Sequence, residues 1–284
     1  MMRPYLEVLT TYPRMHQALH RIDQTRDLRH NDNQPLCSHL RYGNRRVRPF
    51  DGGWRGRHHR ADSRLSDRAL EGPVLFDTGP HPDCQHDPAG RLGERLAGLF
   101  RIGFQPGEEV SARLEAIDRD PGKIDLIINS HFHFDHVGGN GLIPNATMLV
   151  QRREWEAGMD SETAARRGFN PRDFDLGHKL RLVDGEHDVF GDGSVVCLLT
   201  HGHTPGHQSL RLKLDSGEIV LAADACYFCQ TLRERRLPRN MYDREAMLAS
   251  LDRLEVLERS GARIFFGHDP EFWQTVPQAP VPIA

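Results

Sequence analysis

Three imidazoles and a carboxylate fall within six residues in Ser130-His131-Phe132-His133-Phe134-Asp135-His136, directly after the largely apolar run Ile124-Asp125-Leu126-Ile127-Ile128. No other stretch constrains the fold as much, because a buried strand gives way there to the glycine-rich turn Val137-Gly138-Gly139-Asn140-Gly141. Two histidines at i and i+2 can aim at one ion from an extended segment, and Asp135 and His136 can face a second. Neutral imidazole and carboxylate are the usual ligands of zinc and similar divalent metals. A histidine-rich surface loop is the plainer reading, and the residues downstream weigh against it.

Leu198-Leu199-Thr200-His201-Gly202-His203-Thr204-Pro205-Gly206-His207 follows the strand-like Val195-Val196-Cys197. Ile219-Val220-Leu221-Ala222-Ala223-Asp224 is an apolar strand ending in a carboxylate, and Ile264-Phe265-Phe266-Gly267-His268-Asp269 is another ending in histidine. Each candidate ligand thus sits at the C-terminal tip of a hydrophobic strand, where a rigid element can hold it. An aspartate buried after five apolar residues needs a cation or several hydrogen bonds to offset its desolvation.

Together with Asp77, these stretches resemble the motif set of the metallo-β-lactamase superfamily. Within it they are most similar to the N-acyl homoserine lactone lactonases, the quorum-quenching enzymes. The diagnostic pieces are Ser130 to Gly141, Thr204-Pro205-Gly206-His207-Gln208-Ser209-Leu210, Asp224-Ala225-Cys226-Tyr227 and Phe265-Phe266-Gly267-His268-Asp269. A His-x-His-x-Asp-His alone marks only the superfamily. The tyrosine three residues after Asp224 and the Gly-His-Asp ending point to the lactonase branch.

The resemblance implies an α/β fold, the αββα sandwich, and two divalent ions. His131, His133 and His203 would hold the first, Asp135, His136 and His268 the second, with Asp224 bridging. Zinc is the expected metal, with iron, manganese or cobalt accepted according to supply. A bridging metal-bound hydroxide would attack the lactone carbonyl. Tyr227 would donate to the carbonyl oxygen as part of an oxyanion hole, and Asp135 would protonate the leaving alkoxide. A core aromatic with a satisfied hydroxyl is the plainer reading of Tyr227. Phe134 would line the lactone pocket. Asp77 and His207 are expected to orient ligands rather than touch metal, and His201 is most simply a loop residue. His58 and His59 lack a strand framework and are assigned no metal.

Other readings remain open on these residues: a different lactonase, a thioesterase of the glyoxalase II kind, or an inactive metal-binding homologue. The common dinuclear β-lactamases would place cysteine where Asp224 stands. A glyoxalase II needs a helical domain after its last histidine, and 16 residues follow His268.

Residues 1–70 stand apart from a hydrolase domain expected over 71–284. They hold 14 arginines and 6 histidines but no lysine, and from Leu28 to Arg68 apolar residues follow neither a period of 2 nor one of 3.6. A disordered basic tail, an RNA-binding arm and a coding register error upstream of about Glu71 compete. The last is favoured, because the segment ends in the expected Glu71-Gly72-Pro73-Val74-Leu75-Phe76-Asp77 without the opening strands that should precede it. On that reading the chain as written would be poorly soluble and weakly active, and trypsin would cut between Arg29 and Arg68.

The remaining composition sets outer bounds. A net charge of −3 gives no electrostatic case for a nucleic-acid partner. Five cysteines do not suggest a disulfide framework, so a reducing, cytoplasmic setting is expected. Cys226 and Cys229 have redox spacing but no thioredoxin-like surroundings, and read as small apolar side chains. No stretch approaches the roughly 20 apolar residues of a membrane span, nor is there a short apolar leader. Strands are expected at 74–76, 124–128, 195–199, 208–214, 218–223 and 263–266, with Asp215-Ser216-Gly217 as a hairpin turn. Helices are expected at 108–117 and 244–259, the latter with Leu248, Leu251, Leu254 and Leu257 spaced three apart.

Overall fold

The computed structural model describes residues 8–10, 73–100 and 102–283. Two sheets carry the architecture. The first is built from β1 (Val8–Thr10), β2 (Val74–Phe76), β3 (Leu126–Ile128), β4 (Thr147–Gln151) and β5 (Lys179–Val183), in that order and with every pair parallel. The second holds β6 (His187–Asp188), β7 (Val195–Leu199), β8 (Gln208–Leu214), β9 (Gly217–Leu221) and β10 (Arg263–Phe265), in the order β10-β9-β8-β7-β6. It is antiparallel except where β10 runs alongside β9.

Both faces of the first sheet are covered, which is why β2 and β3 read as unbroken apolar runs. Leu75 and Ile127 pack with Val110 and Leu114 of the helix Val110–Glu115, while the alternate residues Val74, Phe76, Leu126 and Ile128 are also fully buried. On the second sheet Val196, Leu198, Val220 and Ile264 pack under Leu251 and Leu254 of the helix Arg244–Arg259. Val195, Cys197, Leu210, Ile219 and Phe265 are buried on the opposite side. The sheets are joined where β3 ends: the Gln208 backbone N–H donates to the Ser130 carbonyl at 2.9 Å, and its side-chain amide donates to the Asn129 carbonyl at 2.9 Å. This is the αββα sandwich.

The helix over 244–259 occupies the expected residues, capped by Asp243, whose carboxylate accepts from Ala246 N–H at 3.0 Å. Its buried side is Met247, Ser250, Leu251 and Leu254, and Leu248 and Leu257 are only half-buried. A step of three residues falls about 60° short of a full turn, so four leucines so spaced cannot all face one sheet. The helix expected over 108–117 is shorter, Val110–Glu115. Strands β4 and β5 and the helices Arg152–Met159 and Ser161–Arg167 were not anticipated. The expected boundary at residue 70 lies outside the described residues, as do His58 and His59. Val8–Thr10 pairs with β2. Among the described residues no helix is long and apolar enough to cross a membrane.

Candidate metal centre

The C-terminal ends of β2, β3, β7, β9 and β10 deliver the anticipated side chains to one place. Two groups of donor atoms form there: His131, His133, His203 and Asp224 in one, and Asp135, His136 and His268 in the other, the atoms of each lying within 4.8 Å of one another. His131 Nε2 and His203 Nε2 both stand 2.9 Å from His133 Nδ1. Asp224 spans the groups. Its Oδ2 is 3.3 Å from His203 Nε2 and 3.7 Å from His131 Nε2, while its Oδ1 is 2.9 Å from His268 Nε2 and 3.2 Å from His136 Nε2. Asp135 Oδ2 lies 3.7 Å from His136 Nε2 and 3.8 Å from His268 Nε2.

Ring orientation is fixed by what the other nitrogens do. His133 Nε2–H donates to the Arg167 carbonyl at 3.0 Å, which leaves Nδ1 facing the cluster. His136 Nδ1–H donates to Asp77 Oδ2 at 2.9 Å, leaving Nε2 inward. His131 Nδ1 lies 2.9 Å from Ser130 Oγ, which in turn donates to Asp77 Oδ2 at 2.7 Å. Asp77, with φ of 56°, also takes the Ser130 backbone N–H at 2.7 Å. It therefore touches the supports of the cluster rather than its centre.

His207 belongs to neither group. Its Nδ1 donates to the Thr200 carbonyl at 3.0 Å, and its Nε2 accepts the backbone N–H of Asp224 at 3.1 Å. Burial pushes its pKa down to about 3, so it stays neutral and positions the Asp224 backbone. His201 lies outside both groups, its carbonyl accepting from Ser250 Oγ at 2.8 Å. Tyr227 is half-buried, its hydroxyl 3.3 Å from His203 Nδ1 and its ring stacked on His268 with centroids 5.1 Å apart. The Tyr227 carbonyl accepts the His268 N–H at 2.8 Å, and a Cβ on Gly267 would stand 2.5 Å from the Ala223 carbonyl oxygen. Only glycine lets those two strand ends approach so closely. Phe134, half-buried on the short helix Phe134–Val137, has its ring 6.0 Å from that of Phe100.

The electrostatics suit a cation. Burial pulls His131 and His203 well below the ordinary imidazole pKa and lowers His133, so these rings present lone pairs, the form that binds metal. Burial opposes charge on His136 too, but Asp224, Asp135 and Asp77 outweigh it and raise its pKa well above the usual value. Burial likewise works against the Asp224 carboxylate, and His268 and His136 still draw it well below the usual range. Donors about 2.0–2.2 Å from a tetrahedral zinc ion lie about 3.4 Å from one another, and the separations here, 2.9 to 3.8 Å, bracket that spacing. The donor set fits two divalent ions.

One buried carboxylate at this place was not anticipated. Glu154, fully buried in the first turn of Arg152–Met159, accepts from the backbone N–H groups of Phe132 at 3.0 Å and Gly206 at 2.7 Å. Burial raises its pKa to about 7. In sequence it stands beside Arg152 and Arg153 and looks like the solvated start of a helix. The one hint is the apolar Met148-Leu149-Val150 just before it, which ends a strand on the same side as the ligands.

Residues 71–268 match the model of the metallo-β-lactamase superfamily. The N-acyl homoserine lactonase AttM of Azorhizobium caulinodans is 33% identical over 217 residues, which cover 74% of this chain and 82% of that protein. The N-acyl homoserine lactonase AiiA of Bacillus thuringiensis subsp. kurstaki is 34% identical over 203 residues, 71% of this chain and 78% of its own. Among solved structures, an N-acyl homoserine lactone hydrolase with the product N-hexanoyl-L-homoserine bound at its catalytic metal centre superposes with a TM-score of 0.66 at 31% identity, covering 75% of this chain and 82% of that one.

Proposed function

The chain belongs to the metallo-β-lactamase superfamily and to its N-acyl homoserine lactonase branch, and from that premise we propose that it opens the lactone ring of N-acyl homoserine lactones by metal-dependent hydrolysis. The observation that carries this reading is the pair of donor groups joined through Asp224, with the Tyr227 hydroxyl beside them. His131, His133 and His203 would hold one ion and Asp135, His136 and His268 the other, with one Asp224 oxygen turned to each group. Zinc suits the His/Asp donors, and iron, manganese and cobalt are the competing occupants. Ions bound there would supply Lewis acidity, polarising the lactone carbonyl and bringing the pKa of water down towards about 7.

The chain's own groups supply the remainder. Burial, and then Asp224, push the Tyr227 pKa well above the usual phenol value, so its hydroxyl keeps its proton and can donate to the carbonyl oxygen as charge develops there. Asp135 delivers a proton to the alkoxide as the ring C–O bond breaks. Water supplies hydroxyl to the carbonyl carbon and hydrogen to the alkoxide, giving the N-acyl homoserine. Phe134 lines the pocket over the lactone. Asp77 and His207 orient the ligand loops. Among the described residues the thiols of Cys84, Cys197 and Cys226 form no disulfide, which suits a reducing compartment, and we place the enzyme in the cytoplasm.

Purified protein supplemented with zinc is expected to retain about two ions per chain and to convert N-hexanoyl-homoserine lactone to the ring-opened acid, followed by proton release. A metal content below about one ion per chain after supplementation, or no ring opening by fully loaded protein, overturns the reading.

A further inference from the structure

Glu154 belongs to neither donor group, yet its carboxylate is bonded on both sides. Oε1 accepts from Phe132 N–H at 3.0 Å and Oε2 from Gly206 N–H at 2.7 Å. Phe132 stands between the ligands His131 and His133, and Gly206 stands three residues after the ligand His203. The first of these loops leaves β3 in one sheet, and the second leaves β7 in the other. The contact is built to be close, because a Cβ on Gly206 would lie 2.4 Å from the Glu154 backbone nitrogen. A buried apolar side chain could fill the same volume, but it would leave two backbone donors unsatisfied. A carboxylate has two oxygens to offer them.

We infer that Glu154 is a positioning residue that clamps the His131/His133 loop to the His203 loop, setting the spacing of the three imidazoles in the first donor group. It therefore controls the affinity of one ion site and not the other. His136 and His268 are held by other contacts: His136 by Asp77, and the His268 backbone by the Tyr227 carbonyl. The inference rests on the dinuclear reading above and extends it to a residue that touches no ion.

The test is a cobalt(II) titration of metal-free protein, read by visible absorption and by the shifted proton signals of cobalt-bound imidazoles. Wild-type protein is expected to take up two equivalents and to show signals from five histidines, three from one group and two from the other. Glu154→Gln keeps the size of the side chain but turns an NH2 towards one of the N–H donors. It should hold one ion as wild type does and bind the other about 10- to 100-fold more weakly. At one equivalent the three-histidine set of signals should be missing. Glu154→Asp keeps the charge but is one methylene shorter, and should fall between the two. Glu156→Gln, exposed on the same helix, should match wild type. Equal weakening of both ions in Glu154→Gln, or no weakening, overturns the clamp. So does loss of the near-UV circular dichroism in both Glu154 variants, which would make the residue a fold determinant only. Fewer than two ions in wild type would instead overturn the dinuclear reading, and the clamp with it.

Discussion

The two donor groups share Asp224 but are built from different materials. His131, His133 and His203 are drawn towards the neutral form by burial, and they rest on uncharged supports such as the Arg167 carbonyl and the Ser130 hydroxyl. Burial acts on His136 as well, but three carboxylates overcome it, and one of them, Asp77, holds the ring directly. A carboxylate behind an imidazole raises its basicity, so the second site should grip its ion more firmly than the first. Both sites draw on loops from both sheets, but in the first the two loops are tied through the Glu154 carboxylate, so that site depends more on placement.

The sharpest way to break this contrast is His133→Ala. Its Nδ1 stands 2.9 Å from both His131 Nε2 and His203 Nε2, at the middle of the first group. Turnover on acyl homoserine lactones should fall by about 10³-fold or more, beyond the loss of a single oxyanion donor. Metal analysis should show the first ion gone. Full activity with a single bound ion would mean that the first group is dispensable.

Tyr227→Phe separates ion binding from chemistry. Both ions should remain, while kcat drops roughly 10- to 1000-fold, the scale of one lost oxyanion donor. An unchanged kcat would make the hydroxyl structural, a partner of His203 and nothing more. Asp77→Asn should have a smaller effect, weakening ion binding by about 10- to 100-fold with the larger share at the second site. His131 would feel it too, through Ser130. Equal weakening of both sites would show that Asp77 acts only by ordering the Ser130 loop.

The two donor groups were legible because their residues follow apolar strands, and a polar residue at such a tip needs a partner that only a cation or a dense set of hydrogen bonds supplies. Those strands and the helices between them suit two packed sheets, and the αββα sandwich itself is what the resemblance implies. The 147–183 stretch was less readable. Thr147–Gln151 and Lys179–Val183 are covered by aromatic packing from Phe132, Phe169 and Phe174, which lie outside both strands. Lys179-Leu180-Arg181-Leu182 does alternate polar and apolar residues, but over a run too short to stand out from its polar flank Asp175-Leu176-Gly177-His178. Glu154 escaped for a related reason: its partners are backbone N–H groups, which leave no mark in the residue types around it. Arg167 contributes to His133 through its carbonyl, and any residue there could do the same.

Asp173 gives the smallest expected effect on activity and the clearest control for the electrostatics. Like Asp224 it is buried, but it belongs to neither donor group and is paired with Arg91. Burial raises its pKa to about 6, and Arg91 only partly offsets this, whereas the histidines around Asp224 win outright. The sign of the stability effect follows. A carboxyl that holds its proton more tightly in the folded state favours folding below its unfolded pKa and loses that contribution as pH rises to about 6. Asp173→Asn should therefore flatten the decline of unfolding free energy between about pH 4 and 6 by on the order of 3 kcal/mol. Below about pH 4, where the wild-type carboxyl is itself protonated, the variant should differ little from wild type, and above about pH 6 it should be the more stable of the two. Turnover per bound ion should not change. Urea unfolding at several pH values, run beside lactone turnover, would check both parts. A variant whose pH slope stays that of wild type would show that Arg91 outweighs burial at Asp173, as His268 and His136 do at Asp224. The two carboxylates would then differ only in which cation faces them.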